Sequence, residues 1–149
     1  MSGTLRELCV LAVLPLFFSV CSLGPGSASS RETATIDVSC DDFMRGGSPA
    51  RINRTIEVAA GQTILVRLCS NVTTGFSWET ARGSDQAVLQ ELEHKVEAPA
   101  SNALGAAGRE VWTFKARQSG TAAVSIDYSQ PWAGGTKASW QFALGVTVR

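Results

Sequence analysis

Hydrophobic and polar residues alternate along several segments of the chain, as expected of β-strands that bury one face. In the segment TILVRLC the apolar positions are Ile64, Val66 and Leu68. Two longer alternations, AAVSIDY and WQFALGVTV, place apolar residues at Ala122, Val124, Ile126 and Tyr128, and then at Trp140, Phe142, Leu144, Val146 and Val148. The pattern predicts a half-buried strand at each of these three places.

Shorter extended segments fill much of the remaining chain and are separated by residues typical of turns. They read ATIDVSC, RTIEVA, FSWET, VLQELEHKVE and EVWTFKA. The Glu-rich residues 88–97 also permit a short helix, but Pro99 and the β-branched valines favour extended chain. About eight short strands without a long amphipathic helix predict an all-β, antiparallel β-sandwich.

Three of the four tryptophans lie in predicted strands, where an indole usually fills the core. These are Trp78, Trp112 and Trp140. Trp132 follows a proline and precedes AGG, so it belongs to a loop. We therefore expect Trp132 to differ from the others in burial.

The first thirty residues differ from the rest in composition. Arg6 precedes the apolar run LCVLAVLPLFFSV, which is short for a membrane span, contains Pro15 and is followed by the small residues of CSLGPGSASS. We expect residues 1–30 to be an export signal and tether, and residues 31–149 to be a single folded domain. The protein would then be secreted, periplasmic or lipid-anchored at the cell surface.

Cys21 leaves two alternatives open within this prediction. The Gly/Pro/Ser-rich residues after it would make a flexible tether for a domain anchored to a membrane by a lipid on Cys21. Against lipidation, the branched Val20 stands where a lipoprotein signal usually has a small residue. The sequence does not decide between the two.

The predicted domain contains two cysteines, Cys40 and Cys69. An oxidising compartment favours a disulfide between them, and two cysteines without further ligands make a poor metal site. Such a bridge closes a loop of about thirty residues and contributes roughly 3 to 4 kcal/mol by the chain-entropy estimate. We expect no metal and no cofactor.

Charge and composition exclude two classes of function. Lys and Arg total 13 and Asp and Glu total 13, so the chain lacks the basic excess of a nucleic-acid-binding protein. The single histidine, His94, lies among charged residues, and we expect it to be solvated on a strand or loop. Without a nucleophile elbow or a metal cluster, the chain is not expected to be an enzyme.

Three loop segments occur in the order NVTTGFSW, GAAGREVWTFKA and YSQPWAGG, before the terminal segment WQFALGVTVR. Together they resemble the chagasin family of cysteine-peptidase inhibitors, over roughly residues 35–149. The resemblance implies an immunoglobulin-like β-sandwich that inhibits papain-like peptidases with three loops at one end.

The resemblance also implies a set of peptidase-binding residues. They lie in a central loop that enters the active-site cleft of the peptidase, a second loop that runs along one wall of the cleft and a third loop that packs on the opposite wall. In this order, the loops comprise Asn71, Val72, Thr73, Thr74 and Gly75; Gly105, Ala106, Ala107 and Gly108; and Gln130, Pro131 and Trp132. Two positions depart from the family pattern. The family usually has proline at the position of Val72 and arginine at that of Gln130. This chain therefore lacks the stiffness that proline gives to the central loop and the charged contact that arginine gives to the third loop.

The residue types suit this role independently of the resemblance. Small threonines fit a narrow cleft, and Gly75 allows a sharp turn after them. The residues of GAAG are small, so the backbone there can approach a partner closely. A tryptophan beside a proline supplies contact area at low entropic cost.

The sequence therefore predicts a monomeric, reversible inhibitor of papain-like cysteine peptidases. One alternative is a cell-surface β-sandwich for binding or adhesion, which would not require Trp132 in a loop beside glycines. A second keeps the fold but changes the target, because Val72 and Gln130 would tune the loops to a peptidase outside the papain group or to no peptidase.

Overall fold

The computed structural model describes residues 32–47, 49–101, 103 and 105–149. The predicted export signal and Cys21 lie outside the described residues. The described part contains a helix, α1 (Cys40–Arg45), a 3-10 turn at Val72–Thr74, and nine strands: β1 (Thr33–Val38), β2 (Ala50–Val58), β3 (Thr63–Ser70), β4 (Ser77–Trp78), β5 (Arg82–Gly83), β6 (Leu89–Glu97), β7 (Gly108–Ala116), β8 (Gly120–Ser129) and β9 (Trp140–Val148).

The strands form two sheets. One has the order β1-β3-β7-β6, and the other has the order β2-β9-β8-β4, with β5 also paired to β8. The predicted β-sandwich is confirmed. Both sheets are mixed, because β1 runs parallel to β3 and β2 runs parallel to β9. Alternation along one strand shows which face is buried but not the direction of the neighbouring strand, so the sequence did not predict these pairings.

The core lies between the two sheets and is built from the predicted apolar positions. Ile64, Val66 and Leu68 on β3 are fully buried. The apolar positions of β8 and β9 are also buried, except Trp140, which is half-buried and packs against the core. The segment that also permitted a helix is strand β6.

Helix α1 was not predicted, although its capping residues are visible in SCDDFMR. Ser39 caps the helix: its hydroxyl accepts a hydrogen bond from the Asp42 amide at 3.3 Å, and the Asp42 carboxylate accepts one from the Ser39 amide at 2.9 Å. Phe43 is fully buried and stacks on Trp140, with ring centroids 4.8 Å apart. Among the described residues, no helix has the length and apolar character needed to cross a membrane.

Candidate functional site

The central loop, Asn71–Gly75, connects β3 to β4 and is closed by its own hydrogen bonds. The Asn71 side-chain oxygen accepts from the Thr73 amide at 3.3 Å and from the Thr73 hydroxyl at 2.6 Å. The Thr74 hydroxyl donates to the Asn71 carbonyl at 2.6 Å, and Gly75 ends the turn with φ of 78°. The loop therefore has a defined shape, and both threonine hydroxyl protons are used within it.

Two side chains from other strands fix the base of this loop. The Tyr128 hydroxyl accepts a hydrogen bond from the Asn71 amide at 3.0 Å. The buried Glu110 carboxylate accepts from the Ser70 hydroxyl at 2.8 Å and from the Trp78 amide at 3.2 Å. Because Ser70 and Trp78 lie on either side of the loop, Glu110 holds its two ends together.

His94 completes the arrangement around Glu110. Its Nε2 atom lies 3.0 Å from the second Glu110 carboxylate oxygen, and its ring stacks on Trp112 with centroids 4.2 Å apart. His94 is exposed on strand β6, as predicted, but its ring is also held by a hydrogen bond and by stacking. In the β6–β7 register His94 faces Trp112, a cross-strand neighbour that the sequence does not reveal.

The second loop, Gly105–Gly108, lies beside the central loop. The Asn71 side-chain amide donates a hydrogen bond to the Gly105 carbonyl at 3.2 Å. Ala106 is half-buried and Ala107 is exposed. A β-carbon at Gly108 would collide with the Glu97 carbonyl, so glycine is required where the loop enters β7.

The third loop, Gln130–Trp132, contacts the central loop at Gly75. A β-carbon at Gly75 would lie 2.7 Å from the Trp132 atom Cη2, so the indole rests on the Gly75 backbone. Trp132 is nevertheless 50% exposed, and Pro131 is exposed beside it. The Gln130 side-chain oxygen accepts from the Thr136 amide at 2.9 Å, so Gln130 shapes its own loop. The structure thus brings the three sequence-predicted segments together at one edge.

A disulfide joins Cys40 to Cys69, with Cα atoms 5.1 Å apart, within the usual range. It connects the start of α1 to the end of β3, directly before Ser70. The Cys69 carbonyl also accepts a hydrogen bond from the Trp78 indole at 2.9 Å. The strand that leads into the central loop is therefore anchored covalently and by hydrogen bonding.

Two carboxyl groups, one on α1 and one at the end of β6, are stabilised in their charged form. A hydrogen bond from the Ser39 hydroxyl holds the pKa of Asp42 below its ordinary value. A hydrogen bond from Arg67, followed by one from Lys95, likewise lowers the pKa of Glu97. In the described part of the chain, no group of three His, Cys, Asp or Glu side chains is placed to hold a metal ion.

Comparisons with known proteins show which family this chain resembles. The family model described as Chagasin family peptidase inhibitor I42 matches residues 57–146. Chagasin from Trypanosoma cruzi is 34% identical over 93 residues, which are 60% of this chain and 84% of that protein.

Two solved structures share the fold. The cysteine protease inhibitor EhICP2 from Entamoeba histolytica has a TM-score of 0.61 at 17% identity, covering 79% of this chain and 98% of that one. PbICP-C, solved in complex with falcipain-2, has a TM-score of 0.57 at 14% identity, covering 79% of this chain and 99% of that one. At these identities the likeness shows a common sandwich architecture.

Proposed function

Because the chain belongs to the chagasin family of peptidase inhibitors, we propose that it reversibly inhibits papain-like cysteine peptidases by placing its three loops in the active-site cleft. The observation that carries this proposal is the contact of the central loop with both neighbours. Asn71 bonds to Gly105, and Gly75 supports Trp132. The three loops therefore form one continuous edge before any enzyme is bound, which reduces the entropic cost of binding.

Inhibition on this proposal needs no chemistry from the inhibitor. The peptide groups of the central loop are folded into a 3-10 turn, in which the Gly75 amide donates to the Val72 carbonyl at 3.1 Å. A tightly turned backbone is held away from the extended form that would lay a peptide bond along a cleft. Thr73 and Thr74 remain exposed at the tip, so they fill the cleft without being cleaved.

The experiment that tests this function is titration of the mature protein against papain and a peptidase of the cathepsin L type. We expect stoichiometric loss of activity at sub-micromolar inhibitor, and recovery of activity on dilution because binding is reversible. A serine peptidase assayed under the same conditions serves as the control and should keep full activity. Absence of inhibition of both cysteine peptidases at micromolar concentration would refute the proposal.

We also propose that the inhibitor is an exported monomer. The composition of residues 1–30 supports export, and the Cys40–Cys69 disulfide fits an oxidising compartment. Intact-mass measurement of the protein from cells that express the full chain tests both the export and the form of the N-terminus. A mass increased by a diacylglyceryl group with Cys21 at the N-terminus would establish membrane anchoring, and cleavage after Cys21 without this modification would establish export in an unanchored form, secreted or periplasmic.

A further inference from the structure

Helix α1 holds a large apolar side chain in solvent next to the three loops. Met44 is 63% exposed, more than Trp132 at 50%. The helix around it is firmly attached, because Phe43 is fully buried, Cys40 is disulfide-bonded and Ser39 caps the N-terminus. The exposure of Met44 is therefore a fixed property of the folded domain.

A hollow of about 420 Å³ lies beside Met44. Its lining is mainly apolar and includes Met44, Phe76 and Trp140. Thr74 of the central loop and Ala107 of the second loop line the same hollow. The hollow is thus continuous with the edge that the three loops form.

This continuity indicates what would cover the hollow when a peptidase is bound. Any peptidase that receives Thr74 and Ala107 must bring its own surface over the space that those residues line. An apolar lining favours an apolar side chain, and methionine adapts its shape to the group that it meets. Met44 lies on α1 and outside the three loops, so a contact with it adds to those of the loops.

We propose that α1 is a fourth contact element, in which Met44 and the adjoining hollow receive an apolar side chain from the rim of the bound peptidase. The inference rests on the proposed inhibition of cysteine peptidases. Because the contact is with the rim rather than the catalytic cleft, it contributes to selectivity. Peptidases with an apolar residue at this position of the rim bind more tightly than those with a charged residue there.

Footprinting of the unaltered protein tests whether Met44 is covered. A brief hydroxyl-radical pulse, followed by mass spectrometry, measures side-chain oxidation in the free inhibitor and in its complex with papain. We expect oxidation of Met44 to fall at least threefold in the complex. Leu92 on β6, which is 54% exposed, is the internal reference and should be oxidised at the same rate in both samples.

Substitution tests whether the contact contributes to affinity. Met44→Ser is expected to raise the inhibition constant by roughly threefold to tenfold, with an unchanged melting temperature, and Leu92→Ser should change it less than twofold. Equal oxidation of Met44 in the free and bound forms, or an unchanged inhibition constant for Met44→Ser, would overturn the inference while leaving three-loop inhibition intact. A wild-type protein that does not inhibit papain would instead refute the function on which the inference rests.

Discussion

The indole of Trp132 rests on Gly75, so closely that a β-carbon at position 75 would lie 2.7 Å from Cη2. Gly75 also has φ of 78°, in the left-handed region that favours glycine. The same residue therefore ends the central loop and supports the aromatic group of the third loop. The shapes of the two loops depend on each other through this contact.

Gly75→Ala should consequently damage inhibition more than stability. The methyl group displaces the Trp132 indole, and we expect the inhibition constant to rise about tenfold, the equivalent of about 1.4 kcal/mol. Gly61→Ala is the matched control, because Gly61 has φ of 88° and nothing within 4 Å of the added carbon. Both variants should lose about 1 kcal/mol of unfolding free energy from backbone strain, measured by denaturant titration. Equal inhibition constants for the two would show that the Trp132 contact is dispensable.

Trp132→Ala is predicted to weaken inhibition by about 1 to 3 kcal/mol, because an exposed aromatic at the centre of an interface often contributes that much. The melting temperature should stay nearly constant, since half of the indole is already in solvent. Inhibition assays and thermal unfolding of the same preparations separate the two effects. A sharp drop in the melting temperature would assign Trp132 to the core instead.

Glu110→Ala tests how the two ends of the central loop are held. The truncation removes the carboxylate oxygen that accepts hydrogen bonds from both Ser70 and Trp78, so these two buried donors lose their partner. We expect a loss of about 1 to 3 kcal/mol in unfolding free energy and weaker inhibition. Glu97→Ala, at a more exposed carboxylate paired with Arg67, is the control and should have the smaller effect on both. A Glu110→Ala variant with wild-type stability and inhibition would mean that the carboxylate does not hold the loop.

Stability should fall in acid for an identifiable reason. Hydrogen bonds lower the pKa of Asp42 and of Glu97 in the folded protein, so the unfolded chain binds protons more readily. Their contribution is complete above the unfolded pKa values of about 4 and is lost as pH falls through the lower folded values. Denaturant unfolding between about pH 2 and pH 6 should show this decline, and Asp42→Asn should reduce its slope. A slope identical to that of the wild type would exclude Asp42 as a contributor.

The features that the sequence predicted are those encoded locally. Alternation identified Ile64, Val66 and Leu68 as one buried face, and the short motifs identified the three loops. Glu110 was not identified, because EVWTFKA looks like any strand that begins with a charged residue. Its partner Ser70 is 40 residues away, and only the β3–β7 pairing brings the two together.

Helix α1 illustrates a different limit of the sequence. The capping residues Ser39 and Asp42 were readable, but six residues form too short a helix for a periodic pattern. Burial of Phe43 against Trp140 stabilises it, and these residues are almost one hundred positions apart. The exposed Met44 could be located only after that packing was known.

The effect of proline at position 72 depends on how firmly the central loop is already held. Val72 is the first residue of the 3-10 turn, a position that suits proline, and its side chain is 57% exposed. The hydrogen bonds of Asn71 to Thr73 and Gly105 already restrict the loop. In the wild-type background, Val72→Pro should therefore tighten inhibition less than twofold.

The same substitution should have a larger effect once those hydrogen bonds are removed. In an Asn71→Ala background the loop gains freedom, and Val72→Pro should then recover about 0.4 to 1 kcal/mol, or roughly two- to fivefold in the inhibition constant. The gain should be seen mainly as slower dissociation, because substitutions within one interface chiefly change the dissociation rate. The double-mutant cycle consists of the wild type, Val72→Pro, Asn71→Ala and the double variant. Their inhibition constants and dissociation rates are measured against one papain-like peptidase. An equal gain in both backgrounds would show that the Asn71 side chain does not restrict the loop.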